Sequence, residues 1–173
     1  MPAERRSEPQ KKSEKSATTM DLSGERDIVF TRRFEAPARI VFDAWTKPEL
    51  VSKWWAPKSM GNEMVSCEAD LRVGGTYRYV IRSRRGEALA FSGTYREISP
   101  PTRLVYTHVF EPMQDQGFVV CTVTFTEKGG GTDVVSTEVY PSEEIRKIVL
   151  GTGMAEGVHE HMNQLAELLR TPG

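Results

Sequence analysis

The chain has 173 residues, 38% of them hydrophobic, and its 23 Lys+Arg against 24 Asp+Glu leave a formal net charge of -1. That length suits one domain with a sizeable core and is short for two, and the balanced charge creates no global field to draw in nucleic acid or an anionic membrane. Its two cysteines, Cys67 and Cys121, are too far apart for a metal or redox motif and read as buried free thiols in a reducing cytosol; no run approaches the roughly 18 apolar residues of a membrane span, and no apolar h-region follows the N-terminal charges.

Residues 1–24 mix both charge signs with Ser, Pro and Thr and show no period of 2 or 3.6, so they read as a disordered charged leader ahead of a single domain at 25–171. From Asp27, IVFTRRFEA alternates as a first strand. Pro37 then opens a helix on which Ala38, Val41, Phe42 and Trp45 form one apolar stripe. Lys47-Pro48 ends that helix, and PELVSKWW reads as a second short one closed by Pro57. Between Met64 and Tyr140 the chain is rich in β-branched and aromatic residues. Turn signals at Gly74-Gly75, Arg85-Gly86, Pro100-Pro101, Glu111 to Gly117 and Gly129 to Gly131 divide it into six strands. With the first strand the sheet has about seven antiparallel members, a size at which sheets curl. Gly93, inside a strand, marks a bend or bulge. Ser142 is the expected N-cap of a terminal helix, with Glu143 and Glu144 on its first turn. The apolar stripe from Ile145 to Leu169 makes that helix long, but Gly151 predicts a break, with the helix proper starting near Thr152.

A strand, two short helices, six strands and a long helix is an α+β order in which helices cover one face of the sheet. We read it as a helix-grip fold, a curved sheet around the C-terminal helix with a ligand cavity between them. The segments RRFEAPARIVFDAWTKPELVSKWWAP, DLRVGGTYRYVIR, FSGTYREISPPTRLVYT, FTEKGGGTDVVSTEV and GVHEHMNQLAELL resemble the START-like superfamily. Within it they are most similar to the family named after the activator of the ATPase of heat-shock protein 90, in its C-terminal domain. The resemblance runs from about Arg26 to Arg170 and implies the fold; the superfamily's roles range over lipid and hormone binding, polyketide cyclisation and co-chaperone contact. Members of the family often carry a Gly-Trp pair in the last helix, whereas here Val158 follows Gly157, which implies a wider pocket at that end.

Alternation places Leu104, Tyr106, His108 and Phe110 on one face of their strand, which is the expected cavity wall. Tyr77, Tyr79, Phe91 and Tyr95, on the two preceding strands, join Tyr106, His108 and Phe110 as candidate ligand-binding residues. Trp45 belongs to the core stripe, and one of Trp54 and Trp55, both candidate ligand-binding residues, is expected at the cavity mouth. Met154, Val158 and Met162 either pack as plain core or form the helical side of an adaptable pocket. Val134, Ser136 and Glu138 share a face. If that face is inward, Glu138 needs a partner, with Arg78, Arg82, Arg96 and His108 as the choices. His108 and an inward Glu138 are then the candidate catalytic acid/base pair; a satisfied histidine and a solvated glutamate are the structural alternatives. His159 and His161 are two apart on a helix and cannot share a metal, and no phosphate loop, nucleophile elbow or metal cluster is present. No cofactor is implied. The expected partner is a small hydrophobic or aromatic molecule. A chaperone contact, suggested by the resemblance, and a cyclase- or hydrolase-like activity of His108 and Glu138 are the alternatives.

Overall fold

A computed structural model describes residues 17–170. Eight antiparallel strands, β1 (Thr19–Ser23), β2 (Asp27–Phe34), β3 (Glu63–Ala69), β4 (Thr76–Arg82), β5 (Ala88–Ser99), β6 (Arg103–Phe110), β7 (Val119–Lys128) and β8 (Gly131–Val139), form one sheet. Their spatial order is β1-β2-β8-β7-β6-β5-β4-β3, so the chain crosses once, from β2 through the helices to the far edge at β3, and meanders back. Helices α1 (Ala38–Thr46) and α2 (Pro48–Val51) occupy that crossing, and α3 (Glu143–Leu150) and α4 (Met154–Arg170) end the domain. This is the expected helix-grip architecture, with one strand more than the hydropathy pattern predicts.

The additional strand is β1, which that pattern assigns to the leader. Its residues are mostly exposed; it is ordered by a hairpin ladder to β2, from Thr19 opposite Thr31 to Ser23 opposite Asp27. Arg146 of α3 clasps this hairpin, its Nη1 donating to the carbonyls of Gly24 (3.1 Å) and Asp27 (3.0 Å). Backbone pairing and one buried guanidinium hold the strand with a single apolar contact, that of Met20, which is too little for any periodicity to announce it. The part of the leader up to residue 16, and residues 171–173, lie outside the described residues.

The alternation of β2 is strict: Ile28, Phe30, Arg32 and Phe34 point inward and are buried. The inward Arg32 links the sheet to the terminal helix, donating from Nη1 to Asn163 Oδ1 (2.6 Å) and Thr18 Oγ1 (3.2 Å). On α1, Ala38, Val41, Phe42 and Trp45 are buried as their spacing requires, and Phe42 and Trp45 stack edgewise on Phe125 of β7 at 5.2 and 5.7 Å. Ser142 caps α3 by accepting from the Ile145 N–H at 3.1 Å. The break comes where glycine predicts it: α3 stops at Leu150, Gly153 takes φ +80, and α4 starts at Met154.

The bulge expected at Gly93 lies instead between Tyr95 and Glu97, where the β5–β6 register slips by one residue. Gly93 has a different reason to lack a side chain. A Cβ there would stand 1.8 Å from the Thr107 carbonyl oxygen and 2.6 Å from the Tyr77 ring. The missing side chain is the space in which the Tyr77 ring crosses β5.

Candidate functional site

The curved sheet, the loop after α2 and the start of α4 enclose a cavity of about 460 Å³. That is the size of a small-molecule site. All five tyrosines and all three tryptophans of the chain line it. Every residue named from the sequence as a candidate ligand contact is on this wall: Trp54 and Trp55 from the loop, Tyr77 and Tyr79 from β4, Phe91 and Tyr95 from β5, Tyr106, His108 and Phe110 from β6, and Met154, Val158 and Met162 from α4. Trp45, read as core, is both: it packs on Trp54 (5.3 Å) and also reaches the cavity.

The aromatic residues hold each other in place along the wall. Tyr77 packs on Tyr79 (4.8 Å) and Tyr95 (5.6 Å), Phe91 on Phe110 (5.0 Å), and Trp55 edge-on to Phe91 (4.8 Å) and Tyr79 (5.3 Å). Each ring gains its contacts from neighbours along the sheet, so the wall has little to gain by collapsing inward. The loop carrying the tryptophans is fastened at both ends. The Trp54 Nε1 donates to the Ala44 carbonyl at 2.9 Å, while the Gln164 amide of α4 donates to the carbonyls of Trp54 (2.8 Å) and Ala56 (2.7 Å) and accepts from the Lys58 N–H (2.9 Å).

Two polar centres stand out on a wall that Asn62, Ser136, Thr152, Tyr79, Tyr95 and His161 also line. In the first, the Tyr77 hydroxyl lies 2.9 Å from the Thr107 carbonyl and 2.8 Å from His108 Nδ1. A carbonyl only accepts, so the hydroxyl proton goes there, His108 Nδ1–H donates to the tyrosine oxygen, and Nε2 remains an acceptor. Burial lowers the His108 pKa to about 4, and His161 likewise to about 4, so both rings are neutral at physiological pH. His161 stands over Trp54 (5.5 Å) and Trp55 (6.3 Å).

The second centre is Glu138. Val134 and Ser136 of its face are buried, so the inward orientation holds. Its hydrogen-bond partner, however, is none of the four expected: Tyr140 donates to its Oε2 at 2.9 Å. The three arginines alternate with inward residues and therefore lie on the outer face. Arg78 pairs with Glu111 (2.9 Å), Arg82 approaches Glu63 (3.9 Å), and Arg96 lies over the Phe118 ring (5.2 Å). Burial without a cation pushes the Glu138 carboxyl up to about 7, and the hydrogen bond from Tyr140 opposes that rise only in part. Beside it on the neighbouring strands are Cys121 and then Tyr106, and burial raises both of their pKa values well above the ordinary ones. The Cys121 thiol is therefore protonated and a poor nucleophile. Glu138 and His108 are two strands and two residues apart, roughly 12 Å at ordinary strand spacing, and their hydrogen bonds go to different partners. The structure thus places both on one cavity without joining them as a pair.

Sequence reasoning overlooked His161, Tyr140 and Cys121 as wall residues. Each carried a signal: His161 is three residues after Val158 and seven after Met154 on the gripping stripe, Tyr140 is two after Glu138, and Cys121 alternates with Val123 and Phe125. Among the described residues there is no group of three or more His, Cys, Asp or Glu able to hold a metal, and no helix long and apolar enough to cross a membrane.

Three solved structures illustrate the likeness to known proteins. A crystal structure from Mycobacterium smegmatis superposes with a TM-score of 0.80 at 26% identity, covering 91% of this chain and 99% of that one. A solution structure from Staphylococcus epidermidis gives 0.71 at 28%, covering 87% and 93%. A crystal structure from Rhodobacter sphaeroides gives 0.79 at 23%, covering 88% and 97%, and speaks for the fold alone. Among curated proteins none matches this chain. The family model described as "Activator of Hsp90 ATPase homolog 1-like protein" matches residues 35–170, from the end of β2 to the end of α4, and the chain belongs to that family.

Proposed function

We propose that this protein binds a small hydrophobic or aromatic molecule in the cavity between the sheet and the C-terminal helix. The observation that carries the reading is the cavity itself: about 460 Å³, walled mainly by aromatic rings that brace one another and by aliphatic side chains, with few polar groups among them. Such a wall offers an apolar guest burial and ring contacts at little cost in reorganisation, because the pocket is formed before the ligand arrives. A thermal-shift panel of neutral aromatic and aliphatic compounds tests it. Aromatic guests of one to three rings should raise Tm with increasing concentration, as ligands that bind only the folded state do. No shift from any of them would contradict the reading.

The family's name supports a second reading, contact with a chaperone ATPase. Its test is the rate of the purified ATPase with and without this protein; an unchanged rate removes it. A cyclase- or hydrolase-like activity would have to use Glu138 and His108 on opposite parts of one substrate, since each is hydrogen-bonded to a different tyrosine.

A further inference from the structure

The cavity's polar groups have a sign. Among its described lining residues there is no lysine, arginine or aspartate, and Glu138 is the one carboxyl. The groups that face Glu138 are Tyr140 just past the end of its own strand, Cys121 on β7 and Tyr106 on β6, with Ile28 beside it on β2. None of these is a cation. The Tyr140 hydroxyl is committed to one carboxyl oxygen. The other described imidazoles on the wall, His108 and His161, are neutral, and the proton of the Tyr77 hydroxyl is directed into the Thr107 carbonyl. The cavity therefore presents an acidic group and ring faces, whose quadrupoles are negative, with no positive group to answer them.

From this arrangement we infer that the ligand is an amine: an aromatic molecule whose protonated nitrogen pairs with Glu138 while its rings lie among the tyrosines and tryptophans. The inference rests on the small-molecule reading above and narrows its ligand class. Above pH 7, where Glu138 is ionised, an anionic guest such as a fatty acid or aryl carboxylate would place two like charges together with no cation between them, a costly arrangement for buried charge. A neutral guest leaves the carboxyl as it is. A cationic amine supplies the missing partner, and its N–H groups find the free carboxylate oxygen in a site where charge-assisted hydrogen bonds are strong.

Protonation gives the pairing a recognisable pH dependence. The raised carboxyl must release its proton when it meets an ammonium group, so amine affinity climbs as pH rises toward 7 and levels off above it. His108 and His161 take up no second proton in that range, and burial keeps the Tyr106, Tyr140 and Cys121 protons on, so none of these groups imposes a competing slope.

Isothermal titration calorimetry of the full chain with three probes of one skeleton tests the assignment: 2-naphthylmethylamine, 2-naphthalenemethanol and 2-naphthoate. The amine should bind at least about tenfold more tightly than the alcohol at pH 7.5, as a charge-assisted contact requires, and the naphthoate most weakly. Amine affinity should rise severalfold from pH 5.5 to 7.5, with the alcohol unchanged. Glu138→Gln should erase the amine's advantage while retaining the alcohol. If that variant fails to fold, the pH series on the unaltered protein decides, and an amine affinity that does not change with pH overturns the pairing. Equal affinity for amine and alcohol, or naphthoate binding as tightly as the amine, overturns the amine assignment and leaves the cavity reading standing. Binding of none of the three overturns both.

Discussion

Gly93 is the residue at which one added carbon disturbs most. Its Cβ would meet backbone on one side and the Tyr77 ring on the other, and neither can move without breaking the Tyr77 bonds to Thr107 and His108. Gly93→Ala should therefore lower stability by about 2 kcal/mol or more in urea unfolding, well beyond what glycine's conformational freedom would return. Glu138 makes a prediction with a definite sign. Its folded pKa is raised from 4.5 to about 7, so below pH 4.5 both folded and unfolded chains hold the proton and the group costs nothing. As pH rises the unfolded chain ionises first, and stability declines until the folded carboxyl also ionises near 7, a loss on the order of 3 kcal/mol by linkage. Glu138→Gln should gain on the unaltered protein across pH 4.5 to 7 and no further above it; a constant difference would show the carboxyl to be ordinary. His108 acts with the opposite sign, its pKa being lowered from 6.5 to about 4. The stability it contributes is full above pH 6.5 and is lost as pH falls toward 4, so His108→Gln should flatten the acid limb of the profile.

At the level of elements, α4 does two things at once: Val158 and Met162 face the cavity, while Gln164 holds the Trp54–Lys58 loop through three hydrogen bonds. Gln164→Ala should cost about 1–3 kcal/mol and speed amide exchange at Lys58, because two carbonyls and an N–H lose their partner together. Unchanged exchange there would mean the loop is held by Trp54 alone. The difference between what the sequence disclosed and what it hid follows the same physics. Strands β2, β4, β7 and β8, the stripe of α1 and the wall residues from Tyr77 to Phe110 were legible because alternate or stripe positions turn to the core or the cavity, and burial writes a period into the residues. β1 was not, because its order comes mainly from backbone pairing and from Arg146, and its one core contact, Met20, makes no period. The partners of Glu138 and His108 were also hidden. Both are tyrosines on the cavity wall, and a sequence shows which face a residue occupies but not which hydroxyl it meets.

For the molecule as a whole, the fold is a frame that keeps a hollow open: rings braced along a curved sheet, a helix set across it, and a loop pinned between. Filling the hollow should abolish binding without harming the frame. Val158→Trp would extend a ring from α4 into the cavity and should weaken an aromatic ligand by about tenfold or more while leaving Tm equal or higher. The most direct test of the ligand-binding hollow is a two-dimensional 1H–15N NMR titration of the full chain with 2-naphthalenemethanol. The expected result is a saturable one-to-one change confined to the indole N–H signals of Trp45, Trp54 and Trp55 and to backbone amides of β4 to β8 and the first turns of α4. Spectra that stay unchanged, or shifts spread over the outer face around Arg78 and Arg82, would contradict it.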